Sequence, residues 1–194
     1  MRRSLALWLH LAIAERRPAI HPPDRRARPE GELIWIIASS DVRPATLRQI
    51  QRVLRAARPQ LSLLVTCEGD NPEMIAAQSG EILTDRQPGE RMGDARAFLD
   101  HWRPLACLIL GNALPAALIC SLHQRAIPVL AADRTASVGA RVPFWRKGRL
   151  VALLQRFDVI LAQDSESVFG LRRLAGQSLR VELGGRIEET TDPL

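Results

Sequence analysis

Leu33-Ile34-Trp35-Ile36-Ile37-Ala38-Ser39-Ser40-Asp41-Val42-Arg43-Pro44 is the stretch that decides the fold. Its first six residues are β-branched, aromatic or small and apolar, the composition of a buried strand. A short polar loop follows, and Pro44 stands at a first-turn position, where a helix tolerates a missing N–H. The helix it introduces carries Leu47, Ile50, Val53, Leu54 and Ala57 on one side, with Arg48, Arg52 and Arg55 elsewhere. A strand that runs through a short loop into an amphipathic helix is the unit from which a helix-covered parallel sheet is built.

Working outward, the same alternation continues. Strands are expected over 61–66, 82–84, 105–110, 127–131, 159–162 and 179–183, and helices over 71–77, 94–102, 113–125, 146–156 and 165–174. The expected class is α/β, a Rossmann-like, mostly parallel sheet with helices on both faces. The loop after the first strand, Ser39 to Arg43, contains no glycine, and no GxxxxGK[ST] run occurs anywhere. Nicotinamide, flavin and P-loop nucleotide chemistry are therefore disfavoured. Ligands of such sheets bind at the C-terminal ends of the strands, which directs attention to loops 39–43, 111–115 and 132–138.

At 194 residues, 46% hydrophobic and 25% charged, the chain has the size and balance of one globular domain. Its net charge of +6 comes almost wholly from arginine, because Lys147 is the only lysine. Guanidinium forks suit phosphate or carboxylate partners, although an arginine-rich solvated face would give the same count. Nucleic acid is disfavoured as a partner, since there is no recognisable module and no stretch in which aromatics interleave with the arginines. Cys67, Cys107 and Cys120 lack CxxC spacing, and His10, His21, His101 and His123 are scattered, so no metal site is expected and a reducing cytosol is.

The N-terminal segment Ser4 to Ala14 is apolar but interrupted by His10 and closed by Glu15-Arg16-Arg17, well short of the ~20 residues that span a bilayer. Leu5, Leu7, Trp8, Leu11 and Ile13 suit either a helix lying on a membrane surface or one packing on the core. Residues 18–31, rich in proline and arginine, read as a linker. The chain thus divides into an N-terminal helix and linker (1–31), an α/β domain (32–187) and a tail (188–194).

Three stretches carry a family resemblance: Pro29-Glu30-Gly31-Glu32-Leu33-Ile34-Trp35-Ile36, Phe98-Leu99-Asp100-His101-Trp102-Arg103-Pro104, and Leu153-Leu154-Gln155-Arg156-Phe157-Asp158-Val159-Ile160-Leu161-Ala162-Gln163. In their order and spacing the chain resembles the N-terminal, acceptor-side domain of the bacterial Kdo (3-deoxy-D-manno-octulosonic acid) transferases. These are two-domain GT-B glycosyltransferases that move Kdo from CMP-Kdo onto lipid A precursors in lipopolysaccharide biosynthesis. The resemblance implies the N-terminal half of a GT-B fold, here in degenerate form and without the C-terminal donor domain.

The family's catalytic loop reads His-Ala-x-Ser-x-Gly-Glu, its glutamate the general base. The matching residues are Ile37-Ala38-Ser39-Ser40-Asp41-Val42-Arg43, so Arg43 stands at the base position. Arginine, with a pKa above about 12, cannot take a proton from a hydroxyl. Asp41 is a low-ranked substitute; Ser40 or Asp41 also suits the N-cap of the following helix. A second motif, Glu-Ser-Glu-Leu-Trp-Pro-Asn, falls on Gly111-Asn112-Ala113-Leu114-Pro115-Ala116-Ala117 and loses both carboxylates. A third, Asn-Ala-Arg-Leu-Ser-x-Arg-Ser, falls on Ala132 to Gly139, where Arg134 retains the arginine as a phosphate contact or as a strand-end surface charge. Gly184-Gly185-Arg186-Ile187 meets the motif that leads into the donor domain.

The resemblance implies an acceptor site of Ser39, Ser40, Arg43, Asn112 and Arg134, with no cofactor bound by this chain and CMP-Kdo handled elsewhere. It implies a lipid A precursor or anionic membrane surface as partner, and a cytoplasmic location at the inner face of the bacterial inner membrane. The alternative is a non-catalytic interaction or regulatory protein that reuses the fold and meets a protein partner at the exposed interdomain face.

Overall fold

The computed structural model describes residues 4–19, 26–40, 42–67, 82–135, 143–177 and 179–185. Within these, β1 (Leu33–Ala38), β2 (Ser62–Cys67), β3 (Leu83–Thr84), β4 (Ala106–Leu110), β5 (Val129–Arg134), β6 (Val159–Ala162) and β7 (Val181–Leu183) form one sheet. Its order is β3-β2-β1-β4-β5-β6-β7, and every neighbouring pair is parallel. Six helices accompany it: α1 (Leu5–Ala14), α2 (Pro44–Ala57), α3 (Met92–Trp102), α4 (Ala116–Gln124), α5 (Phe144–Leu154) and α6 (Ser165–Ala175). The helix expected over 71–77 lies outside the described residues.

The strand order explains which face each helix covers. From β1 the chain steps to β2 and β3 on one side, then returns to β4 and continues the other way. Right-handed crossovers in opposite directions lie on opposite faces. The alternation along β1 follows suit: Leu33, Trp35 and Ile37 enter the larger core with buried residues of α1, α3, α4, α5 and α6, while Ile36 and Ala38 join Leu47 of α2. In the larger core the Trp35 and Phe98 rings lie 4.5 Å apart. The two indoles buried there are satisfied: Trp35 Nε1 donates to Thr66 Oγ1 at 3.0 Å and Trp102 Nε1 to Asp85 Oδ2 at 2.7 Å.

α1 packs on this body with one side only. Leu7 and Ala14 are buried against the core, whereas Leu5, Trp8, Leu9 and Ile13 are exposed. Ser4 caps the helix through Leu7 N and also donates to Gly148 O of α5 at 3.1 Å. No helix among the described residues is long and apolar enough to cross a membrane.

Two local expectations are corrected. The strand expected over 127–131 runs instead from Val129 to Arg134, with an irregularity between Ala131 and Arg134 and Asp133 at φ 58°. Positive φ is tolerated by aspartate better than by most residues, so the bulge falls there. The N-cap of α2 is Arg43 and makes no side-chain cap bond, in place of Ser40 or Asp41. Pro44 occupies the first helical position, and the cap is by definition the residue before it.

Candidate functional site

The sheet reverses its winding between β1 and β4, and the loops leaving these strands frame the crevice where such folds hold ligands. Ser39 closes its floor. Its backbone N–H and its hydroxyl both donate to Leu110 O, at 3.1 and 3.0 Å, and the hydroxyl accepts from Ala113 N at 2.9 Å. The side chain is buried and ties the end of β1 to the loop after β4. That loop begins at Gly111, whose φ of 74° turns the chain out of the strand at no steric penalty.

Asn112 stands on the same loop and faces β5. Its Oδ1 accepts from Thr135 N and its Nδ2 donates to Thr135 Oγ1, both at 3.2 Å. Arg134 lies beneath, fully buried. Its guanidinium donates to Ala113 O at 2.8 Å and Asn112 O at 3.4 Å, and sits 5.5 Å from the centre of the Phe157 ring. Burial pulls its pKa down to about 10, which leaves it charged at neutral pH, and its Nε has no partner among the described residues. Arg134 is therefore not a strand-end surface charge. It is an internal brace that holds the carbonyls of the 111–115 loop.

Ser39, Asn112 and Arg134 are thus gathered at the ends of β1, β4 and β5, with their polar groups turned on the protein itself. Ser40 and Arg43, by contrast, are exposed on the loop that leads into α2. Arg43 O accepts from Thr46 N at 3.0 Å, the first turn of α2 contains no acidic residue, and its side chain stands at the positive end of that helix. Asp41 and residues 136–138 lie outside the described residues.

Two carboxylates at neighbouring strand ends escaped the sequence reading. Asp133 Oδ1 accepts from Gln163 Nε2 at 2.6 Å, joining β5 to the end of β6. Asp164 caps α6 by accepting from Ser167 N at 2.7 Å, a bond that holds its carboxyl below the usual range. Asp164 was legible as an N-cap before Ser165-Glu166-Ser167. The Asp133–Gln163 pair spans 30 residues and left no local signal.

A family model described as 3-deoxy-D-manno-octulosonic-acid transferase (kdotransferase), N-terminal, matches residues 12–188. No curated protein matches the chain. Among solved structures, UDP-GlcNAc 2-epimerase from Methanocaldococcus jannaschii in complex with UDP-GlcNAc and UDP aligns with a TM-score of 0.58 and 12% identity, over 79% of this chain and 46% of the epimerase. MnaA from S. aureus with UDP aligns at 0.56 and 13%, over 81% and 44%, and the UDP-GlcNAc 2-epimerase from Neisseria meningitidis bound to UDP-GlcNAc at 0.52 and 16%, over 80% and 47%. At these identities the likeness is one of fold, a Rossmann-like GT-B half. The chain spans less than half the length of each of these structures.

Proposed function

This chain belongs to the 3-deoxy-D-manno-octulosonic-acid transferase family through its N-terminal domain, and on that footing we propose that it binds the phosphorylated glycolipid acceptor of lipid A and lipopolysaccharide core biosynthesis without catalysing transfer by itself. The observation that carries the reading is Arg43. It occupies the position of the family's general base, exposed at the uncapped N-terminus of α2. A guanidinium at the positive end of a helix favours a phosphate and cannot remove a hydroxyl proton. Losing general-base assistance lowers a rate by about 10²–10⁴. CMP-Kdo would be handled by a donor domain outside this chain.

The protein works at the inner face of the bacterial inner membrane, and the exposed Leu5, Trp8, Leu9 and Ile13 of α1 suit contact with the lipid surface. Co-sedimentation with liposomes tests the proposal, comparing neutral lipid, generic anionic lipid and lipid A precursor across a salt series. Selective, salt-resistant retention on the precursor is expected. Equal binding to all anionic surfaces, or to none, would overturn it.

A second reading, a non-catalytic interaction protein that reuses the fold, is favoured by one observation: Ser39, Asn112 and Arg134 all bond within the protein. Phe169 of α6 and Leu183 at the end of β7, both exposed, would then belong to a protein-binding face. A stable complex that forms without lipid and is lost on Phe169→Ser would support this reading over the first.

A further inference from the structure

The end of the sheet opposite the 39–43 and 111–115 loops carries a second concave feature. α4 ends at Gln124 just before β5 begins, and α5 ends at Leu154 just before β6 begins, so both helix ends lie with the N-terminal ends of the strands. The first two turns of α1 pass over them. Between α1, the second half of α4 and Arg156, just past the end of α5, is a cavity of about 430 Å³, within the range of small-molecule pockets.

Its lining is divided by chemistry. Leu7, Leu11 and Cys120 form an apolar interior, in which burial pushes the Cys120 thiol up. Leu5 and Trp8, 80% and 66% exposed, form an outer wall that continues along α1 into Leu9 and Ile13. Ser4, His123, Gln124 and Arg156 supply the polar part, and the lining contains no aspartate or glutamate among the described residues. Arg156, half-buried, donates to Ala152 O and supplies the one formal positive charge among the described lining residues.

We propose that this cavity binds a single fatty acyl chain whose anionic head group rests on Arg156 and His123. An alkyl interior with its charge confined to the polar part of the lining fits an unbranched amphiphile better than a sugar or a nucleotide, each of which needs polar partners along its length. The sign of the rim selects an anionic head over a cationic or zwitterionic one. The apolar ridge beyond the mouth gives a longer chain a surface to follow. The inference does not rest on the acceptor reading, because the two features lie at opposite ends of the strands.

The test uses the purified chain and monomeric straight-chain carboxylates of increasing length, without vesicles. Binding is followed by quenching of Trp8 with a bromine-labelled fatty acid, with Trp8→Phe as the blank, and by calorimetry. Affinity is expected to rise roughly fourfold per methylene until the cavity is full, and then to level off. An alkyl trimethylammonium of equal length should bind more weakly than the carboxylate. Arg156→Gln should weaken the carboxylate about tenfold while leaving the neutral alcohol of that length unchanged. Cys120→Phe, which takes up part of the apolar interior, should shorten the chain length at which affinity levels off.

Any of four results overturns the inference: no saturable binding, affinity that climbs with length without a plateau, equal binding of cationic and anionic chains, or Trp8 quenching explained by self-association in sedimentation. If Cys120→Phe does not fold, the length series and Arg156→Gln decide alone. Loss of precursor binding in an Arg43 variant leaves this result untouched, so the two readings fail separately.

Discussion

Replacing Ser39 by alanine separates a structural serine from a ligand-binding one. The hydroxyl is buried, donates to Leu110 O and accepts from Ala113 N. Leu110 O keeps a partner when the hydroxyl is removed, because Ser39 N also donates to it at 3.1 Å. Ala113 N keeps none that replaces the lost oxygen, and a buried, orphaned N–H costs about 1–3 kcal/mol. For a chain of this length each kcal/mol moves the melting temperature by about 2–4 °C, so a drop of roughly 2–12 °C is expected.

The assay is thermal unfolding by circular dichroism, run beside Ser40→Ala, whose side chain is exposed and whose change should stay within about 0.5 kcal/mol. An unchanged midpoint for Ser39→Ala would refute the reasoning, since it would mean that the hydroxyl does not hold the loop. A lowered midpoint with lipid retention intact would confirm that Ser39 positions the crevice without contacting what fills it.

For Arg134, burial pulls the guanidinium pKa down to about 10, so removing the charge relieves a desolvation cost while forfeiting the bonds to Ala113 O and Asn112 O. Arg134→Met is therefore expected to destabilise less than Arg134→Lys, which keeps a buried charge but loses the planar fork and the stack on Phe157; equal or greater stability of the lysine variant in guanidinium titrations would count against the brace. His10 has its pKa lowered, first by burial and then by Arg149, whose NH1 lies 2.8 Å from Nδ1, against an opposing pull from Glu90. The unfolded chain takes up this proton before the folded one, so His10 should subtract stability as pH falls below about 6.5 and on through its lowered folded value, and His10→Gln should flatten that part of the melting-temperature profile. Arg43→Glu should reduce retention on lipid A precursor about tenfold at low salt, and retention equal to that of the unaltered chain would remove Arg43 from the acceptor site.

How far the fold was legible depended on whether each element's neighbours were local. β1 and β6 fall where the apolar runs of Leu33–Ala38 and Val159–Ala162 put them, because each is bounded by polar residues, β1 buried almost throughout and β6 buried on one face and half-buried on the other. β5 was misplaced because Asp133-Arg134 reads as polar loop. What keeps Arg134 in the sheet is Phe157 together with the carbonyls of Asn112 and Ala113, all 21 to 23 residues away. The cap of α2 was misjudged by composition, although Pro44 alone fixes it. For α1 the sequence left core packing and membrane contact as alternatives; the helix packs on the core through Leu7 and Ala14, while Leu5, Trp8, Leu9 and Ile13 face out. The site was legible as a set of loops; the roles of Ser39 and Asn112 were not, since each is set by partners across the sheet.

Proton abstraction at the strand ends would need a carboxylate with a free lone pair and an unlowered pKa. Asp133 and Asp164, at the ends of β5 and β6, each commit an oxygen to a bond within the protein. Asp133 is joined to Gln163, and Asp164 is held as a helix cap by bonds that make it a weaker base than an ordinary aspartate. On the proposed reading, Arg43 adds positive charge where the family has its base, and the second family motif arrives at Asn112 with its acids replaced. These substitutions act in one direction. A site that gains a guanidinium and loses carboxylates binds anions more tightly in the ground state, and interactions equally strong in ground and transition states do not accelerate a reaction. On the proposed reading, affinity for a phosphorylated acceptor and the absence of unaided transfer are therefore two consequences of the same change in charge.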